Sequence, residues 1–176
     1  MTDTQLRRYE IFVIERPGRP PVHAGSVHAS DGELALQNAR DVFARRPDCH
    51  GLWALPAEAI TSHPAGSAEP PASVAPEQEP YLVFGKPGHK GVQTFLGTVQ
   101  AASAAEALDA GRNTLGGGIV DWWVAPERCR LATQPEDAAP MFDPSKDKPF
   151  RDQAFYPVET MMRKLRRDRE SGRAKP

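Results

Sequence analysis

One stretch of this chain repeats another, and the repeat limits the fold more than any other feature. Tyr9 and Phe12 recur as Tyr81 and Phe84; Gly25, Val27 and Ala29 recur as Gly97, Val99 and Ala101. Ala35, Leu36 and Arg40 recur as Ala107, Leu108 and Arg112, all at one offset of 72 residues. Trp53 and Pro56 then recur as Trp123 and Pro126 at an offset of 70, after a two-residue deletion. A register kept this long marks a duplicated supersecondary unit, and such units bury their apolar faces against one another.

Within the first copy, residues 9–15 are rich in β-branched and aromatic types and read as a strand. Arg16 to Pro21 holds three prolines and a glycine, which mark a turn. Val22 to Ala29 pairs back as a second strand. Ser30 with Glu33 has the capping-box spacing for a helix start. Leu36, Ala39 and Phe43 then fall on one helical face, and Pro47 stops the helix after Arg45 and Arg46. Gly51 to Leu55 reads as a third strand. Leu108, Gly111 and Leu115 repeat the helical spacing, and Gly116 to Gly118 ends that helix. The expected class is α+β: two tandem β-β-α-β units with mainly antiparallel sheet, plus an extended C-terminal arm. The expected divisions are 1–62, a linker at 63–80, 81–132, and an arm with a basic tail at 133–176. The two units are expected to pack as a pseudo-dimer within one chain, because a unit of some fifty residues is marginal alone.

Residues 61–80 contain five prolines, no aromatic residue and one large aliphatic, Val74. Such a stretch cannot bury enough surface to offset its ordering entropy. The end of the chain is polar with spaced aromatics. Phe142, Phe150, Phe155 and Tyr156, with Asp143 and Pro144, read as anchors of an arm that docks on a partner. Trp122, in a strand beside Trp123, is assigned to the same interface, since neighbours in a strand face opposite ways. Pro157 can open a helix with Val158, Met161, Met162 and Leu165 on one face. Residues 1–162 carry −6 and the last fourteen +5, for a net charge of −1. That balance argues against nucleic acid as a partner, and the basic end reads as solvated. The start, MTDTQLRRYE, has no apolar signal region, and no run of 18 apolar residues occurs. Two distant cysteines, Cys49 and Cys129, fit a reducing, cytoplasmic setting.

The motifs of common chemistry are absent. No Glu is followed by His three positions on, and neither His-Glu-x-x-His nor a phosphate loop occurs. His23 and His28 stand five apart on a strand and so point to opposite faces. His50 beside Cys49 lacks further ligands at zinc spacing. Gly85 to Gly91 aligns with the 16–21 turn and reads as a hairpin loop. Cys129 sits between Arg128 and Arg130 without a base placed by sequence. The residues therefore point to no catalytic, cofactor or metal site. A stand-alone α+β module that binds a small molecule between its units is the competing reading.

The stretch Val22 to Ser30, the helix Leu34 to Arg46, the strand Leu52 to Leu55 and the tail Phe142 to Pro157 resemble the PaaB family, the B subunits of the bacterial phenylacetyl-CoA epoxidase. Against that pattern the second unit, 81–132, stands inserted between core and tail. The resemblance implies a structural subunit of a multicomponent oxygenase in phenylacetate catabolism. Its implied partners are a di-iron catalytic subunit, which epoxidises the ring, and a further structural subunit.

Overall fold

The computed structural model describes residues 6–44, 49–64, 77–146 and 157–171. The first unit is β1 (Arg7–Ile14), β2 (Val22–Ala29), α1 (Gly32–Phe43) and β3 (Gly51–Pro56). A 3₁₀ turn (Ala57–Ala59) leads to β4 (Thr61–Pro64). The second unit is β5 (Glu79–Pro87), β6 (Thr94–Ala101), α2 (Ala104–Thr114) and β7 (Ile119–Pro126). A second 3₁₀ turn (Glu127–Cys129) leads to β8 (Leu131–Ala132), and α3 (Pro135–Lys146) and α4 (Val158–Glu170) follow. Arg45, Arg46 and Pro47, which the sequence places at the end of the first helix, lie outside the described residues, as does most of the linker.

All eight strands form one sheet in the order β4-β7-β5-β6-β2-β1-β3-β8, with every pairing antiparallel. β4 follows β3 in sequence but pairs with β7, while β8 follows β7 but pairs with β3. Each unit thus gives its trailing strand to the other. This exchange fixes the shape of the sheet. Six strand spacings separate β3 from β4 in the order, or about 29 Å if the sheet were flat. The chain from Pro56 to Thr61 spans at most about 17 Å. The sheet must therefore curl round until β3 and β7 approach each other.

Curling gives the sheet two buried faces. On the outer face α1 covers Tyr9, Ile11, Leu52 and Ala54, and α2 covers Tyr81, Val83, Trp122 and Val124. On the inner face Phe12, Leu55, Leu82, Phe84 and Ala125 meet from both units. This explains why Glu10 to Phe12 and Tyr81 to Gly85 are buried without alternation. At the seam the two hairpins touch through Val22 and Thr94. His23 N donates to Gln93 O at 2.8 Å and Phe95 N to Pro21 O at 2.9 Å.

Two local expectations change. The cap of α1 is Asp31, whose Oδ1 accepts from Leu34 N at 2.9 Å, and Ser30 Oγ donates to the other carboxylate oxygen at 2.8 Å. Asp31 wins because it is an ionised acceptor at the positive helix end. Its carboxyl is held below the usual range, first by the Leu34 N–H and then by the Ser30 hydroxyl. In α2 Ser103 does cap, accepting from Glu106 N at 3.2 Å. The second change lies in the arm. Its first part, expected to be extended, is the helix α3, which carries Pro140 and Pro144 within it.

Candidate partner-binding interface

α3 is fixed to the first unit by one ring. Phe142, expected to face a partner, is only 3% exposed and joins the core under α1, with Ala138 and Met141 packed alongside. Arg40 Nε donates to Met141 O at 2.8 Å and holds the same turn. Thr133 ties the approach: its N–H donates to Leu52 O at 3.0 Å and its hydroxyl accepts from Leu52 N at 3.2 Å.

Trp122 also lies inside. It is 5% exposed, beneath α2, where Gly111 packs closely on Val83 with the indole beside it. The first unit has Leu52 and Ala39 at the corresponding positions, a smaller side chain under a larger one. Trp123 turns to the inner face, as alternation requires, but that face is closed by the other unit. Trp122 is therefore taken up by the chain's own packing, and Trp123 is partly buried against the inner cluster. Asp143 and Pro144 are exposed. Phe150, Phe155 and Tyr156 lie outside the described residues.

The inner face holds a ring cluster that sequence reasoning missed. Phe12 and Phe84 stack with centroids 4.3 Å apart. Trp53 meets Phe95 edge-on at 5.1 Å, and Trp123 meets His23 edge-on at 5.1 Å. Under the repeat register Phe12 matches Phe84, Trp53 matches Trp123 and His23 matches Phe95. The cluster is thus an approximate two-fold across the seam. The signal was present in the sequence, since five of these six positions are Phe or Trp. Symmetry fails at one place. Where the second unit has Leu82 and Phe95, the first has Glu10 and His23, whose side chains hydrogen-bond at 2.8 Å. Arg8 Nε also meets Glu10 at 3.1 Å.

Among the described residues, no three His, Cys, Asp or Glu side chains are placed to hold a metal ion. Cys49 is buried, and burial pushes its thiol up from the usual range. The cations beside Cys129 are both engaged, Arg128 by Glu79 and Arg130 by Glu127. Arg130 also lies over the Trp53 ring at 4.5 Å.

The exposed apolar surface is concentrated on α4. Val158, Met161, Met162 and Leu165 are each more than half exposed along one stripe. Arg163, Lys164, Arg166, Arg167 and Arg169 share the helix. Among the described residues no helix is long and apolar enough to cross a membrane.

These features define a class: a duplicated α+β chain whose two units enclose one aromatic core. The PaaB family, Phenylacetic acid degradation B, matches residues 5–81 and matches a second time over residues 77–163. The chain belongs to that family. It is similar to the B subunit of 1,2-phenylacetyl-CoA epoxidase from Escherichia coli (strain K12), 40% identical over 70 residues. That alignment covers 39% of this chain and 74% of the relative. No solved structure matches the chain. The second family match takes in the whole second unit, 81–132, and runs through α3 into α4.

Proposed function

We propose that this chain is a structural, non-catalytic subunit of a multicomponent di-iron oxygenase that epoxidises the ring of phenylacetyl-CoA during phenylacetate degradation, in the cytoplasm. The observation that carries the reading is the tandem family match over 5–81 and 77–163, together with the 40% identity to the epoxidase's B subunit. The chemistry of the described residues supports it. They bring together ring packing and hydrogen bonds between the two units.

The partners are the di-iron catalytic subunit and the accompanying structural subunit. The docking arm takes its root at Phe142, which anchors it to α1, and its outward part begins at Asp143 and Pro144. Phe150, Phe155 and Tyr156 supply the rings that enter the partner. Removing a well-buried interface anchor costs ~2 kcal/mol or more, roughly thirty-fold in affinity.

The test is co-expression of the tagged full chain with the oxygenase subunits, followed by pull-down and iron analysis. The wild-type chain should retain the di-iron subunit, and iron should follow that subunit and not this one. Phe155→Ala with Tyr156→Ala should keep the melting temperature and weaken the complex at least thirty-fold. Normal assembly by that variant would refute the arm. Failure of the wild-type chain to assemble would refute the oxygenase reading and favour a stand-alone binding module.

A further inference from the structure

The two units are not copies at their charged contacts. In the first, Arg7 on β1 pairs with Glu58 on the 3₁₀ turn that leads to β4. Under the repeat register, Arg7 corresponds to Glu79 and Glu58 corresponds to Arg128. In the second unit Glu79 and Arg128 pair with each other. Both members have changed sign, so the ion pair is kept and its direction is reversed.

The reversal matters because the turns lie at the crossing where the units exchange strands. Arg7 and Glu58 of the first unit and Arg128 of the second line one cleft of about 440 Å³. In that cleft Glu58 shares the lining with a cation from the other unit, Arg128. Two first units paired in the same way would bring Glu58 against Glu58, and two second units would bring Arg128 against Arg128. The inner core shows a matching asymmetry. The Glu10–His23 pair occurs once, and its mate positions are Leu82 and Phe95. Pairing two first units would bury two such polar pairs at one seam, which is costly unless each is fully satisfied.

We propose that these paired differences are a recognition code: each unit is built to fit the other unit of its own chain, and not the like unit of a second copy. The partner of the strand-exchange surface is therefore already inside the molecule. This inference stands apart from the oxygenase reading, because it concerns the chain alone.

A charge cycle on the full-length chain tests it. One variant carries Arg7→Glu with Glu58→Arg, a second carries Glu79→Arg with Arg128→Glu, and a third carries all four changes. Every variant keeps an ion pair within each unit. The two-residue variants give both units the same polarity and face like charges across the cleft. At low salt each should melt lower by about 1–3 °C, the scale of a partly exposed charge contact in a chain of this size. The four-residue variant restores opposite polarity and should melt like the wild type, a non-additivity that reports coupling between the units. The losses should shrink in 1 M salt. By native mass spectrometry the wild type should be a monomer. Additive losses across the cycle, a four-residue variant that fails to fold, or a wild-type chain that self-associates would each overturn the proposal.

Discussion

Phe142→Ala separates two uses of one ring, and its cost follows from how the ring is held. The ring is 3% exposed, so its removal forfeits the burial of an aromatic side chain. For a fully buried large apolar side chain that burial is worth about 1.5–3 kcal/mol. In an enclosed core the cavity left behind raises the loss to about 3–5 kcal/mol. Phe142 sits on α3, at the margin of the first unit's core, held by Met141, Ala138 and the Arg40 hydrogen bond. When the ring is gone α3 can lift away, so no rigid cavity need persist. The expected loss is therefore about 2–3 kcal/mol in urea unfolding, measured against a shared m-value. Phe12→Ala is the enclosed comparison. Phe12 is fully buried against Phe84 between two halves of the sheet that cannot separate locally, and about 3–5 kcal/mol is expected. A Phe142→Ala loss below about 0.5 kcal/mol, the range of surface substitutions, would refute the placement of this ring. Truncation after Gln134 should likewise lower stability, because it uncovers the α1 face that Phe142 fills.

Other perturbations probe single contacts. Ser103→Ala removes the N-cap of α2 and should cost about 1 kcal/mol by thermal or urea unfolding, with Ser103→Asp close to neutral. Gly25→Ala should destabilise, because φ is +144° there and the added Cβ would meet the Phe43 ring at 2.9 Å; a neutral result by calorimetry would show that the hairpin relaxes. The Asp31 carboxyl is lowered in the folded chain, so its contribution is present above the ordinary Asp value of about 3.9 and is lost as pH falls through the folded value. The stability gap between wild type and Asp31→Asn should narrow on acidification below pH 4, and a gap constant down to pH 2 would contradict the contact. Cys49, buried and with its thiol raised, should react more slowly with a thiol reagent in the folded chain than in urea, as read by mass spectrometry.

Much of the fold was legible because it rests on local signals. The strands at 9–15, 22–29 and 51–55 and both amphipathic helices follow from periodicity, and the repeat register carries them into the second unit. β4 and β8 were not legible. They have four and two residues, too few for a period, and their partners lie in the other unit. The placing of Trp122, beside Trp123, at an interface failed for a related reason. Alternation separates their faces correctly, but only the exchange of strands makes both faces interior. Phe142 shows a different limit. An aromatic ring in a polar segment has the same composition whether it enters a partner or folds back, and the slot beside α1 is not visible before the fold is known. The arm's outer rings, Phe150, Phe155 and Tyr156, are assigned to the interface by sequence and resemblance alone.

The exchange of trailing strands also governs how the chain is made. β3 stays an open edge until Leu131 emerges, and β4 waits for β7 to pair with. At about 5–20 residues per second, the stretch from Pro64 to Leu131 takes several seconds to synthesise. During that time the first unit is complete in sequence but has half its core facing water. Open strand edges of this kind are templates for pairing with other chains. The Pro-rich segment that follows β4 has little β propensity, so that segment itself offers no competing strand to the open edges. The sheet closes only once Leu131 and Ala132 are available to β3, three quarters of the way along the chain.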